Sequence, residues 1–117
     1  MSGARSFHAG MAAEDAVSRL YERNGLNVAA RRWRSPAGEI DLIARNGAEV
    51  IFIEVKQSRS HAEAAQHLSR RQMARIYDAA SLFLAGEPGG QNTASRFDVA
   101  LVDGRGQVEI IENAFAA

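Results

Sequence analysis

The stretch GEIDLIARNGAEVIFIEVK, residues 38–56, contains two apolar runs separated by Asn46 and Gly47. An Asn-Gly pair between two such runs is the strongest short-range signal of a β-hairpin. We therefore predict two antiparallel strands that are direct neighbours in a sheet. The second strand ends in Lys56, which is the only lysine of a chain that also contains 13 arginines.

The hairpin register decides which side chains share a face of the sheet. With Asn46 and Gly47 as the two central turn residues, alternate positions of both strands project to the same side. That side carries four charged residues: Glu39, Asp41, Glu54 and Lys56. In this register Glu39 lies directly opposite Glu54, and Asp41 is a diagonal neighbour of Glu54, with Cα atoms roughly 7–8 Å apart.

The opposite side of the predicted hairpin is apolar apart from Glu49 beside the turn. It consists of Ile40, Leu42, Ala44, Ile51, Ile53 and Val55. A slip of one residue would send Asp41 and Glu54 to opposite faces and would mix charged with apolar positions. This apolar face therefore supports the chosen hairpin register, in which Asp41 and Glu54 share the opposite face.

Two carboxylates this close can hold a hard divalent cation. Mg²⁺ and Mn²⁺ prefer oxygen ligands, and Mg²⁺ takes one or two protein carboxylates together with water and substrate phosphate oxygens. We predict Asp41 and Glu54 as metal ligands, with the backbone carbonyl of Val55 as a third oxygen. Lys56 would then stabilise charge at a phosphate, while Glu39 and Gln57 are predicted as supporting residues.

The same charges also admit a structural interpretation, in which the acids pair with Lys56 and Arg45 on a solvated face. Charge clusters of this kind occur in structural networks as well as in active sites, so the spacing alone leaves both interpretations open. The lysine count favours function, because a chain that otherwise uses arginine retains one lysine beside the two acids.

The remaining elements are predicted from periodicity and turn residues. Helical spacing runs from residue 11 to 24 before Gly25, and again from the capping pattern Ser69-x-x-Gln72 to about residue 85. Strand-like segments are residues 26–34, 96–102 and 107–112, and residues 57–68 are predicted as a loop that contains a helical turn. The order α-β-β-β-α-β-β predicts an α/β fold with a mixed sheet flanked by helices. Residues 11–117 form one predicted domain after a flexible N-terminus, residues 1–10.

Composition limits the classes of function. The 117 residues are 46% hydrophobic and 24% charged, with a formal net charge of zero, as in ordinary globular domains. The absence of cysteine excludes disulfides and thiolate chemistry, and no apolar run approaches the roughly 18 residues of a membrane span. We expect a cytoplasmic protein with no membrane partner.

Binding to nucleic acid would depend on local basic patches, because the neutral chain has no global basic field. The candidates are Arg31 and Arg34, which flank Trp33, together with Arg70 and Arg71 at the predicted start of the second helix. Charge alone favours solvated surfaces for these arginines, and burial of the Trp33 ring is favoured over stacking on a base. The histidines lack the HExxH spacing of a zinc helix.

An aspartate on one strand followed by Glu-x-Lys on the next resembles the core motif of the PD-(D/E)XK nuclease superfamily, here Asp41, Glu54 and Lys56. The blocks GEIDLIA, FIEVK and RFDVALV...VEIIENAF resemble, more specifically, the bacterial YraN family, which is assigned to that superfamily and is related to archaeal Holliday junction resolvases. The resemblance extends over about residues 10–115.

The resemblance implies a restriction-endonuclease-like fold in which the first helix contributes an additional acid. This acid corresponds to Glu14, which helical geometry places at the margin of the predicted buried face. The chain departs from the family pattern in Gln57 and Ser58, where Thr-Arg usually follows the lysine, and in Gln72, where lysine is more usual.

The implied activity is Mg²⁺- or Mn²⁺-dependent endonucleolytic hydrolysis of DNA, extended to branched or structured DNA by the relation to resolvases. Symmetric cutting of a junction would require a homodimer, which nothing in the sequence indicates. One alternative is a nucleic-acid-binding module that keeps the fold without cleaving. The other is a protein-interaction domain with a structural ionic face.

Overall fold

The structure, a computed structural model, describes residues 3–115, with side chains from residue 10 onward. Its elements in chain order are helix α1 (Gly3–Arg23), strands β1 (Asn27–Ser35), β2 (Gly38–Asn46) and β3 (Glu49–Gln57), helices α2 (His61–Ala65) and α3 (Arg70–Leu84), a 3-10 turn (Gly90–Asn92), and strands β4 (Ser95–Val102) and β5 (Val108–Ile111). The predicted helices and strands are thus confirmed, and α2 is the helical turn expected in the loop after β3.

The five strands form one mixed sheet in the order β1-β2-β3-β4-β5. Strands β3 and β4 are parallel, and each of the other neighbouring pairs is antiparallel. A parallel pair needs a crossover connection, which here contains α2 and α3. The predicted α/β fold with a mixed sheet flanked by helices is confirmed.

The two faces of the sheet are covered by different helices. Helix α1 packs on one face through a buried cluster that includes Val17, Tyr21, Leu42, Ile53 and Ala100. Helix α3 packs on the other through two clusters that include Ile43, Phe52, Ala80, Ile76 and Leu101. Strand β3 is buried from both sides, and so the acids at its end lie beside the core.

Helix α1 begins at Gly3, eight residues before the predicted start at Met11. It ends as predicted, because Gly25 adopts a positive φ of 88°. The N–H groups of Gly25 and Leu26 donate to the carbonyls of Glu22 and Tyr21, which is the Schellman pattern of a helix end. The predicted flexibility of residues 1–10 stays a prediction, and Met1 and Ser2 lie outside the described residues.

The predicted turn of the β2–β3 hairpin is wrong by one position. Asn46 pairs with Glu49, so Gly47 and Ala48 are the central turn residues. Gly47 alone of these two has a positive φ, at 62°, as in a type II′ turn with glycine first. The predicted and the observed turn both place Gly47 at a central position where a positive φ is required. The observed turn shifts each cross-strand pairing by two positions. A shift of two preserves the faces, as Leu42 and Ile43 show, but Ile40 was predicted on the face of Leu42 and lies instead in the cluster with Ile43.

No helix in the described part of the chain is long and apolar enough to cross a membrane.

Candidate functional site

The corrected hairpin register brings the two predicted metal ligands closer together. Leu42 pairs with Ile53, and one further step along this register places Asp41 directly opposite Glu54 instead of diagonal to it. The regular ladder stops there, and Oδ2 of Asp41 instead accepts a hydrogen bond of 2.8 Å from the N–H of Val55. The Asp41 side chain therefore lies against the end of β3.

Glu54 is the more enclosed of the two acids, with 6% of the residue exposed. Its Oε2 accepts a hydrogen bond of 2.6 Å from Nε2 of Gln72, and Nζ of Lys56 lies 3.8 Å from the same oxygen. The Lys56 side chain is itself only 17% exposed. Strand β3 and the start of α3 thus place one ammonium and one amide beside a buried carboxylate.

The electrostatics of this pair are unfavourable for two charged carboxylates. Burial, a hydrogen bond with the Asp41 carboxyl group and repulsion from its charge together raise the pKa of Glu54 to about 9, against the opposing influence of Lys56 and Gln72. At neutral pH the metal-free site therefore retains a proton on this pair. A divalent cation in place of that proton would allow both groups to ionise.

Glu14, the predicted third acid, is buried on α1 but is held by a different cation. Nε of Arg32 donates a hydrogen bond of 3.0 Å to Oε1 of Glu14. The hydrogen bond that Arg32 donates to Glu14 has the largest effect on the pKa of Arg32, which it raises, and the charges of Glu14, Glu39 and Asp41 raise it as well. Arg32 therefore links the helix acid to the acids of β2.

Arg32 lies at a kink that affects both β1 and the adjacent part of β2. It has a positive φ of 52°, which is uncommon for a residue with a side chain. Arg31 pairs with Leu42 and Trp33 with Ile40, so the same register places Arg32 opposite Asp41. Strict alternation fails here, because Ile40 joins the α3-side cluster that also contains Ile43. The kink turns the outer end of the β1–β2 ribbon over α3.

The donor groups suit a hard cation with few protein ligands. Asp41 and Glu54 supply carboxylate oxygens. The N–H of Val55 points toward β2, where it donates to Asp41. The Val55 carbonyl points the same way, because the N–H and C=O of one strand residue face the same neighbouring strand. Within the part of the chain that the structure describes, no three Asp, Glu, His or Cys side chains come close enough to hold a metal ion. Two carboxylates with water and substrate oxygens match Mg²⁺ chemistry.

The two residues predicted to support the site are not brought into it. Glu39 pairs with Arg34 at 3.6 Å beside the β1–β2 turn, and the predicted placement of Glu39 opposite Glu54 is wrong because of the two-residue shift. Gln57 lines a cleft on the α1 side of the sheet, away from Glu54. Ser58, which follows it, donates a hydrogen bond to Glu63 of α2.

The predicted nucleic-acid-binding arginines fall into two groups. Arg31 forms a 2.5 Å ion pair with Asp15 of α1, whereas the Arg34 side chain is 79% exposed beside Glu39. Arg70 and Arg71 are exposed in the first turn of α3, next to the residue whose amide contacts Glu54.

Trp33 is partly buried against α3 as expected, and its ring meets Phe83 edge-on at 5.4 Å.

Sequence reasoning missed the roles of Arg32 and Gln72. Gln72 matched a capping box, and Ser69 does cap α3 by accepting from the Gln72 N–H. The Gln72 side chain reaches Glu54 instead of returning to the cap. For Arg32 the signal was weak, since its position between two other candidate arginines gave no reason to separate it from them.

A second buried acid, Asp98 of β4, lies one strand away and is surrounded by donors. Tyr21 donates a 2.7 Å hydrogen bond to it, Nε of Arg96 lies 3.1 Å away, and the N–H of Asn113 donates at 3.0 Å. Burial raises the pKa of the Tyr21 hydroxyl, so this group remains a donor. Asp98 ties α1, β4 and the segment after β5 together.

The fold and site define a small α/β protein in which a buried acid, a half-buried acid and a lysine meet at a strand end. Residues 13–102 match the family model described as "Uncharacterised protein family UPF0102". The chain belongs to this family.

Several curated relatives match over nearly their whole length. A UPF0102 protein of Cereibacter sphaeroides strain KD131 is 75% identical over 100% of both chains. One from Ruegeria pomeroyi is 61% identical over 97% of this chain and 92% of its own length. A third, from Dinoroseobacter shibae, is 41% identical over 95% of this chain and 83% of its own.

Proposed function

We propose that this protein is a metal-dependent endonuclease that hydrolyses phosphodiester bonds of DNA, with a restriction-endonuclease-like fold and a PD-(D/E)XK site. The observation that carries the proposal is the meeting of Asp41 and Glu54 at the end of β3, with the ammonium of Lys56 3.8 Å from Glu54. The YraN resemblance of the three sequence blocks, two of which contain these residues, is a second support.

Each site residue has a distinct role in this proposal. Asp41, Glu54 and the Val55 carbonyl would hold Mg²⁺ or Mn²⁺, which supplies a more acidic water and polarises a phosphoryl oxygen. Lys56 places a positive charge where negative charge develops on the phosphate during hydrolysis. Gln72 fixes one oxygen of Glu54 through its 2.6 Å hydrogen bond, which orients the carboxylate.

Contacts to DNA would come from the start of α3. Arg70 and Arg71 are exposed there, adjacent to Gln72 and therefore close to Glu54. Backbone N–H groups of a first helical turn also favour phosphate. Arg34 could extend the contact along the β1–β2 turn, and the relation to resolvases points to branched or structured DNA. Symmetric cutting of such DNA would require a homodimer.

A second candidate function is binding of nucleic acid without cleavage. One observation favours it: among the described residues no third acid joins Asp41 and Glu54, because Glu14 is engaged by Arg32. This alternative keeps the exposed arginines as the binding surface and gives Lys56 a structural role beside Glu54.

The deciding experiment measures cleavage of plasmid, single-stranded and four-way-junction DNA with Mg²⁺, Mn²⁺ or EDTA. We expect metal-dependent cleavage that falls at least 100-fold in Asp41→Asn and in Lys56→Met, the order of loss when a charge-stabilising group is removed. Asp15→Asn is the matched control, because it removes an exposed acid of an ion pair outside the site.

Cleavage that survives both site substitutions would refute the site. Salt-sensitive DNA binding without cleavage, lost in a variant lacking Arg70 and Arg71 but not in Asp41→Asn, would favour the binding module. Neither binding nor cleavage of any DNA would favour a protein-interaction domain.

A further inference from the structure

We propose that Arg32 is a second cation of this site, supplied by the protein itself, so that the site binds one divalent ion and not two. This inference rests on the proposed metal-dependent function and specifies how many ions that function uses. It concerns a residue outside the Asp41, Glu54 and Lys56 motif.

The backbone of Arg32 is the first support. A φ of 52° is unfavourable for a non-glycine residue, and such residues persist where the surrounding structure requires that backbone conformation. Here the unusual conformation coincides with the kink at Asp41. An ordinary extended residue at position 32 would project according to strict alternation, which the kink interrupts.

The contacts of the Arg32 side chain are the second support. The guanidinium reaches Glu14, whose side chain is 10% exposed, with Nε 3.0 Å from Oε1. It also lies in the field of Glu39 and Asp41. Arg32 therefore lies between Glu14 of α1 and Asp41 of β2, the two carboxylates that would have to hold a second cation.

Charge balance gives the third support. When ionised, Glu14, Asp41 and Glu54 carry three negative charges, and Arg32 and Lys56 carry two positive charges. One divalent cation and one phosphodiester then make the site neutral. A second divalent cation would leave two excess positive charges in a partly buried region, which is strongly unfavourable. Removal of Arg32 would reduce that excess to one.

The adjacent ion pair provides a matched control. Arg31 and Asp15 also connect β1 to α1, one residue away on each element, but both side chains are more than 40% exposed. Arg31 pairs across the strand with Leu42, and its backbone has no positive φ. Removing Arg31 therefore tests the loss of an α1–β1 ion pair without changing the charge of the site.

The experiment counts Mn²⁺ ions in the presence of a non-cleavable dinucleotide whose single linkage carries one negative charge, by isothermal titration calorimetry and by electron paramagnetic resonance of free Mn²⁺. We expect one ion per chain in the wild type, Arg31→Gln and Arg32→Lys, and two ions in Arg32→Gln and Arg32→Gly. Arg32→Gly also removes the strain of the positive φ, so one variant retains the fold if Arg32→Gln is too unstable.

A single ion in both neutral Arg32 variants would overturn the inference, as would two ions in the wild type, and in either case the metal-dependent function would stand. No Mn²⁺ bound by the wild type would overturn the proposed function and this inference together. Loss of wild-type binding in Asp41→Asn shows that the counted ion occupies the proposed site.

Discussion

Glu54 and Asp98 are buried carboxylates on adjacent parallel strands, but their surroundings differ. Asp98 is fully buried and receives hydrogen bonds from a tyrosine, an arginine and a backbone N–H. Glu54 is nearly as buried, yet it faces another acid, and its nearest ammonium is 3.8 Å away. One carboxylate is satisfied by the protein, whereas the other leaves a charge imbalance.

This difference separates a structural acid from a candidate ligand more clearly than burial does. A buried charge with a full set of donors joins the elements that supply those donors. A buried pair of acids destabilises the fold until a proton or a cation is bound, and such sites are characteristic of function. The comparison therefore predicts opposite responses when each acid is neutralised.

The largest expected effect is the loss of stability in Asp98→Asn. An amide in place of the carboxylate removes the charge that Arg96 faces and turns an N–H₂ group toward other donors. We expect a decrease of about 3 kcal/mol in the free energy of unfolding, measured by urea denaturation, as for other broken buried pairs. Asp15→Asn, in an exposed ion pair, should change it by less than about 1 kcal/mol. Equal effects in the two variants would contradict the structural role of Asp98.

Glu54→Gln should have the opposite sign in metal-free protein. Because the folded-state pKa of Glu54 is raised to about 9 from an ordinary value near 4.5, the folded state binds the proton more tightly than the unfolded state. Stability is therefore highest at low pH and falls as pH rises between these two values. At pH 8 we expect Glu54→Gln to stabilise the protein by about 1–3 kcal/mol, with a flatter pH profile.

The check is a series of chemical denaturation measurements in EDTA, with the assay pH varied from 5 to 9. The wild type should lose stability across this interval faster than Glu54→Gln. A steeper profile in the variant, or destabilisation at pH 8, would show that Glu54 is satisfied as Asp98 is.

The smallest effect is expected at His61, and it sharpens the pH comparison. Its Nε2 lies 2.9 Å from the Gln107 carbonyl oxygen and its Nδ1 lies 3.1 Å from Glu109, so both ring nitrogens face acceptors. The hydrogen bond to Gln107 is the main cause of a raised pKa. This contribution is complete below the unfolded-state pKa, near 6.5, and is lost as pH rises through the higher folded-state value.

His61→Gln should therefore remove a small decline in melting temperature above about pH 6.5. The double variant with Glu54→Gln should lose both declines, and its change relative to the wild type should equal the sum of the two single changes, because the residues do not contact each other. A decline that disappears entirely in His61→Gln alone would assign the pH dependence to the histidine and not to the acid pair.

Much of the fold could be predicted because its signals are local. Helical spacing and a terminal glycine identified α1 and its end, and the apolar face of the hairpin is the side of β2 and β3 that packs against α1. The turn was misplaced by one residue, since Asn46-Gly47 and Gly47-Ala48 both supply the glycine that a tight turn requires. The start of α1 was missed because residues 3–10 carry little apolar periodicity.

The site could be predicted only in part. Asp41, Glu54 and Lys56 share a face through the two-residue strand period, which any hairpin register of the same parity preserves. Glu39 was placed at the site by the misplaced turn and Gln57 by its sequence proximity to Lys56, but the observed register with the Arg34 ion pair and strand alternation direct them elsewhere. Glu14 lies at the predicted margin of the core, although its partner could not be foreseen.

The sequence by itself determined that two acids and the only lysine lie on one face of a hairpin, because side-chain alternation is a property of the strand. Only the tertiary structure decided that Gln72 holds Glu54 and that Arg32 holds Glu14. Those contacts join residues 18 positions apart along the chain. They depend on how α3 and α1 pack against the sheet and on the kink at Arg32, which no local pattern of residues specifies.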